Sequence, residues 1–183
     1  EIRILKKISD TIPHINLPKY IDCYYGMKHT TIVVPLLSED FVTRIQKRDK
    51  AKIGNYSESE LFSVIKQVLS GLEALHNHNI CHLDIKLENI VFKNEDLEDT
   101  DISILDLGFA REEDSWPIYR RDGEYIGTPQ YLSPEILEKE RYGPEADIWA
   151  VGVVLYKAFH FVFPFERETG DSNNEILYQK IKD

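Results

Sequence analysis

Across 183 residues, 32 acidic side chains against 22 basic ones leave a net charge of -10, which disfavours a nucleic-acid backbone as partner and suits cationic ligands. A content of 42% hydrophobic and 30% charged residues is that of an ordinary globular chain and excludes disorder and collagen-like repeats. Cys23 and Cys81 are the only cysteines, too few for a disulfide framework, so reduced thiols and an intracellular setting, cytoplasmic or nuclear, are expected. No apolar run reaches the roughly 20 residues of a membrane span, and no membrane partner is expected. The chain opens at Glu1 inside a helical pattern, so a fragment of a longer protein is expected. Ile4, Leu5 and Ile8 share one helical face, which Pro13 brings to an end. Residues 19–25 and 30–34, β-branched and aromatic, predict an antiparallel strand pair around a turn at Gly26-Met27-Lys28. A short charged helix over 39–50 follows, and a lobe boundary is expected near Leu37.

Ser57 and Glu60 have capping-box spacing, and Leu61, Val64, Ile65, Val68, Leu72 and Leu75 keep one stripe, so a helix is predicted over 58–78. Residues 90–92 and 102–105 predict a hairpin whose acidic tip, 94–101, is solvated. The stretch 111–127 has no period and reads as a long functional loop. Residues 146–161 are apolar nearly all round, which predicts a helix buried on every side, and an amphipathic helix over 173–181 closes the chain.

The informative constellation is His82, Asp84, Lys86 and Asn89, with Asp106-Leu107-Gly108 beginning 17 residues after Asn89. Four fixed positions at that spacing recur by chance in about one chain in 10³ of this length. The pattern resembles the catalytic and metal-binding loops of the eukaryotic protein kinases. Gly127-Thr128-Pro129-Gln130-Tyr131-Leu132-Ser133-Pro134-Glu135 is similar to the end of their activation segment, and Asp147-Ile148-Trp149 to the start of their large buried helix. The resemblance covers essentially the whole chain and implies an α+β, two-lobed fold: part of a small lobe over 1–37 and most of a helical large lobe over 38–183.

By that resemblance, Asp84 orients or accepts the proton of the attacking hydroxyl, Lys86 meets the γ-phosphate of ATP, and Thr128 bridges Asp84 and Lys86. Asn89 and Asp106 supply oxygen ligands for Mg²⁺, which takes few carboxylates beside phosphate and water. Phosphoryl transfer needs mainly alignment and charge neutralisation, which is why hard oxygens and a compact cation recur in these positions. Glu1 matches the glutamate that pairs with an ATP-anchoring lysine, Val91 the apolar floor under adenine, and Asp40 a ribose contact. Glu88 stands beside the nucleotide and is available to basic substrates, while His82, Glu135 and Asp147 match structural positions. The anchoring lysine and glycine-rich loop do not occur among these 183 residues, so the piece itself is expected to be inactive.

Lys86 and Thr128 favour a serine/threonine enzyme acting on proteins, with a regulatory protein as a further partner. Leu83 stands where many kinases have an arginine that receives an activation phosphate, which argues against the usual phosphorylation switch and aligns the chain with the calmodulin-kinase-like group. Glu124 offers a fixed charge near the usual phosphosite, and Tyr125 and Ser115 are candidate modification sites of lower weight. Leu107 replaces phenylalanine with packing preserved, and Leu87 replaces a common proline. Lys157 takes the place of a glutamate that reads substrate arginine, and would repel it. Glu135 is expected to be a buried carboxylate without its usual arginine. Several readings compete with these. His76, His78, Cys81 and His82 lack paired zinc-ligand spacing; Trp149, Tyr156, Phe159, Phe161, Phe163 and Phe165 read as core. A pseudokinase that binds nucleotide or regulates a partner is the alternative function, weighed against by retention of Asp84, Lys86, Asn89 and Asp106. A small-molecule kinase is disfavoured by Thr128 and the Pro134-Glu135 segment.

Overall fold

The structure is a computed structural model that describes residues 1–113, 118–119, 126–138, 141–168, 170 and 174–183. Helix α1 (Ile2–Thr11) turns Ile4, Leu5 and Ile8 inward, as their three- and four-residue spacing requires. The hairpin of β1 (Asp22–Tyr25) and β2 (Thr30–Val33) is antiparallel with Tyr25 opposite Thr30. Helix α2 (Phe41–Lys50) starts where Asp40 caps it, accepting from the Thr43 amide at 2.9 Å. Helix α3 (Glu58–His76) has the full capping box between Ser57 and Glu60. It ends short of the predicted His78, where the chain turns through Asn79 at φ +58°, a conformation asparagine tolerates better than most residues.

Three more two-stranded ladders and three more α-helices follow among the described residues. Strand β3 (Ile80–Cys81) pairs with β6 (Arg111–Glu112), and β4 (Ile90–Phe92) with β5 (Ile102–Ile104). Strand β7 (Ile118–Tyr119) pairs with β8 (Arg141–Tyr142). Two strands thus lie inside the stretch 111–127, where two residues apiece are too few to show a period. Helices α4 (Pro134–Leu137), α5 (Pro144–His160) and α6 (Glu175–Lys182) follow. Glu124, Tyr125 and Ser115 lie outside the described residues.

The main core joins α1, α3, β4, β5 and the inner face of α5, and a second cluster gathers Cys81, Leu83, Ile126, Leu132, Ile136 and Leu177. Helix α5 is not buried on every side. Its small residues Ala146, Ala150, Val151, Val154 and Ala158 face inward, where they let α3 approach closely, whereas Ile148, Leu155, Tyr156 and Phe159 are exposed. The aromatic set divides in the same way. Trp149 stacks on Phe165 and Phe163 meets Tyr131 edge-on, but Tyr156, Phe159 and Phe161 face solvent and are not core.

The acidic hairpin tip has exposed side chains but a held backbone. Arg44, fully buried, donates to the carbonyls of Asn94 and Asp96 and at 2.6 Å to Glu39, and Arg48 donates at 2.9 Å to the Leu97 carbonyl. Each guanidinium lies 4.2 Å from an aromatic centroid, Arg44 over Phe92 and Arg48 over Tyr56, an arrangement that offsets part of the cost of burying the charge.

Candidate active site

The site is built outward from Asp147 in the first turn of α5. Its buried carboxylate accepts from the Leu83 amide at 2.7 Å and the His82 amide at 2.9 Å, and lies 2.8 Å from His76 Nε2. Those two amides would otherwise be buried donors without partners. Holding them lets Leu83 adopt φ +64°, a strained conformation for a branched side chain, and the chain then turns Asp84 into the site. Leu83 itself packs into the second core, an apolar role fixed by its neighbours.

His82 is fully buried, and its Nδ1 accepts from the Asp84 amide at 3.3 Å. That assigns the proton to Nε2, which donates to the Leu105 carbonyl at 3.0 Å. Burial holds its pKa below the ordinary imidazole value, so the ring is a neutral brace between the Asp84 loop and the residue preceding Asp106.

Asp84 is 2% exposed and both of its oxygens are engaged. Oδ1 accepts from the Thr128 hydroxyl at 2.7 Å; Oδ2 accepts from Lys86 Nζ at 2.6 Å and from Asn89 Nδ2 at 3.1 Å. Lys86 also donates to Thr128 Oγ1 at 3.1 Å, which closes the bridge expected of that threonine. Asn89 Nδ2 donates to the Asp84 carbonyl at 2.8 Å as well, so both bonds of that amide run through nitrogen and its Oδ1 is the oxygen directed elsewhere. The Leu105 amide donates to the Asn89 carbonyl at 2.8 Å, and the β4–β5 hairpin thereby brings Asn89 to within one residue of contact with Asp106. Asp106 is exposed at φ +61° with Oδ1 accepting from the Gly108 amide at 3.1 Å, while Leu107 inserts into the main core.

Gly127 places Thr128. It sits at φ +111°, and a Cβ there would lie 2.7 Å from the Leu83 carbonyl oxygen, so only glycine lets the two segments approach this closely. Sequence alone marks this glycine as part of a motif; the close approach to Leu83 has no signal in local spacing. The same is true of His76, which 71 residues separate from Asp147 in the chain.

The protein kinase domain profile matches residues 1–183. The chain belongs to the protein kinase domain family. It is 34% identical, over 100% of its length and 53% of the relative's, to a probable myosin light chain kinase of Dictyostelium discoideum. It is also 34% identical to the calcium/calmodulin-dependent protein kinase cmkB of Emericella nidulans, over 92% of this chain and 40% of that protein. A calcium/calmodulin-dependent protein kinase type 1 of Macrobrachium nipponense is 30% identical over 99% of this chain and 48% of its own length. The kinase domain described here therefore spans about half the length, or less, of these relatives.

In this kinase domain the remaining predicted residues are more dispersed. Glu1 is exposed at the head of α1, where its carbonyl accepts from Leu5 and its side chain makes no cap bond. Both Asp40 oxygens bond Thr43, Oδ1 to the amide and Oδ2 to the hydroxyl at 2.8 Å, while its backbone bridges to Val91. Glu88 is exposed on the 3₁₀ turn Leu87–Asn89. Glu135 is half-buried, so the buried unpaired carboxylate expected from sequence does not arise; solvent reaches it. Lys157 donates to the Phe161 carbonyl at 2.8 Å and lies 4.5 Å from the Phe163 centroid, which makes it a cap on the end of α5. His76, Cys81 and Asp147 do come together, but both Asp147 oxygens are hydrogen-bonded and burial pushes the Cys81 thiol up, so the trio is an anchor and a poor metal site.

Proposed function

We propose that this domain is the catalytic part of a serine/threonine protein kinase that moves the γ-phosphate of ATP to a protein hydroxyl. The observation that carries the reading is Asp84, whose two carboxylate oxygens are fixed by Thr128, Lys86 and Asn89. A carboxylate held this rigidly is aimed at an incoming hydroxyl without reorganising at the moment of reaction. Asp84 orients that hydroxyl and receives its proton; Lys86 offers a cation to the transferred phosphoryl group from beside Asp84; Thr128 holds the pair in register. Asn89 Oδ1 and the Asp106 carboxylate are hard oxygen donors that suit magnesium, and magnesium supplies neutralisation of the phosphate charge when bound. In this reading Glu1 would pair with the nucleotide-anchoring lysine of the family, Val91 would underlie the base, Asp40 would contact the ribose, and Glu88 would stand beside the nucleotide and be available to basic substrates. Residues 1–37 form the small-lobe part and 38–183 the large-lobe part of this arrangement. The unpaired thiols Cys23 and Cys81 suit an intracellular setting, and the likeness to calmodulin-dependent kinases supports a regulatory protein partner.

The test uses the full-length polypeptide that carries this domain, incubated with labelled ATP, magnesium and a mixed protein substrate, beside Asp84→Asn. The reading predicts label on serine or threonine that falls by about 10²- to 10⁴-fold in the variant. Nucleotide binding with no transfer by the parent would instead identify a pseudokinase.

A further inference from the structure

Glu112, on β6, lies outside the residues that line the site, yet both of its carboxylate oxygens are engaged. Oε2 accepts from Arg3 Nη1 and Oε1 from Lys7 Nζ. Arg3 and Lys7 are four residues apart and so share one face of α1; the adjoining face, with Ile4, Leu5 and Ile8, is buried in the main core. The Glu112 side chain is 19% exposed, against 33% for Lys7 and 72% for Arg3. Lys7 and Arg3 hold its carboxyl below the usual range against the opposing effect of burial, so it is a standing negative charge at neutral pH.

The position of this charge in the chain gives it leverage. Strand β6 follows the Asp106–Gly108 turn directly, and its partner β3 leads straight into His82 and Asp84, with Glu112 opposite Ile80 and Arg111 opposite Cys81. One carboxylate therefore ties α1 to the strand pair from which the Asp84 and Asp106 loops both extend. Two cations on one helical face repel each other slightly, and Glu112 is the acidic group among the described residues that pairs with both. We propose that Glu112 is a positioning residue that holds α1, and Glu1 at its head, in register with the phosphotransfer site through a charge written into the sequence and needing no modification. This rests on the kinase reading of the site. It accounts for an apolar Leu83 where a phosphate-receiving arginine would otherwise stand: α1 has its own anionic anchor.

The test compares the full-length protein with Glu112→Gln, Glu112→Lys, and Glu112→Lys combined with Arg3→Glu and Lys7→Glu. Two readouts are taken, steady-state kcat and KM for ATP, and amide hydrogen exchange across α1. For Glu112→Gln the expected result is a roughly fivefold rise in KM for ATP, the scale of a well-formed partly exposed ion pair, with α1 amides exchanging faster by a similar factor. Glu112→Lys is expected to be worse, and the reversed triple variant to recover both readouts, which a purely structural role for the glutamate would not produce. Parent-like kinetics and parent-like α1 exchange in Glu112→Gln would overturn the proposal, as would failure of the reversed variant to recover. A parent without transfer activity whose α1 exchange still responds to Glu112 would leave the anchor standing and remove the kinase reading instead.

Discussion

Replacing Asp147 by alanine should cost far more than its distance from the reacting groups suggests. Among the described residues the carboxylate is the acceptor for the His82 and Leu83 amides, at 2.9 and 2.7 Å, and both residues are at most 6% exposed. A hydrogen bond to a charged acceptor contributes about 1.5–3 kcal/mol and a buried orphan donor costs a similar amount. Two such donors give a loss of about 4 kcal/mol, less about 1 kcal/mol recovered if Leu83 relaxes from its left-handed conformation. That is a large share of the 5–15 kcal/mol that holds a typical domain together. Asp147→Asn keeps one acceptor oxygen and should lose roughly half as much. His76→Ala removes only the third bond, from an imidazole 16% exposed, and should cost about 1 kcal/mol. Urea unfolding followed by circular dichroism and by Trp149 fluorescence would measure all three. If Asp147→Ala cost less than about 1 kcal/mol, or no more than His76→Ala, the idea that Asp147 anchors the catalytic loop by satisfying its amides would be wrong.

Gly127→Ala must relieve a Cβ 2.7 Å from the Leu83 carbonyl at φ +111°; a loss of about 1–3 kcal/mol and a fall in transfer rate larger than in nucleotide affinity are expected, and unchanged kinetics would show that Thr128 is not placed by this turn. Because burial lowers the His82 pKa, the unfolded chain binds its proton first as pH falls, so His82 contributes stability that is present above about pH 6.5 and lost progressively below it, by up to about 1.4 kcal/mol per pH unit; His82→Gln should flatten that slope in denaturation measured between pH 7.5 and 5.5. Arg44→Leu removes the buried cation from Glu39, strands two carbonyls and should destabilise by about 3–5 kcal/mol, whereas Lys47→Ala, on the exposed side of the same glutamate, should change stability by less than about 1 kcal/mol; equal effects would refute the distinction.

Much of this was legible in the chain because local rules carried it. The spacing of Ile4, Leu5 and Ile8, the Ser57–Glu60 capping box and the β-branched runs at 30–34, 90–92 and 102–104 each satisfy themselves over a few residues, and the elements appear where they point. The Asp84–Lys86–Thr128 bridge was legible only through family resemblance, since 42 residues separate Lys86 from Thr128 and no periodicity links them. Periodicity misled where it had no information about neighbours: α5 is apolar all round, yet one face is exposed because burial depends on what packs there. Arg44 shows the opposite failure. A basic residue in a charged helix predicts exposure, but the carbonyls of the hairpin tip and the ring of Phe92 make a buried site for it.

The proposal that Asn89 and Asp106 hold one cation beside Asp84 is tested most directly through the magnesium dependence of nucleotide binding. Calorimetric titration of the full-length protein, Asn89→Ala, Asp106→Ala and the double variant would report it. The expected result is tighter nucleotide binding with magnesium in the parent, lost largely in either single variant and no worse than additive in the double. Retention of the parent's magnesium dependence in both single variants would mean that these two side chains do not hold the metal, and the account of the site would fall with it.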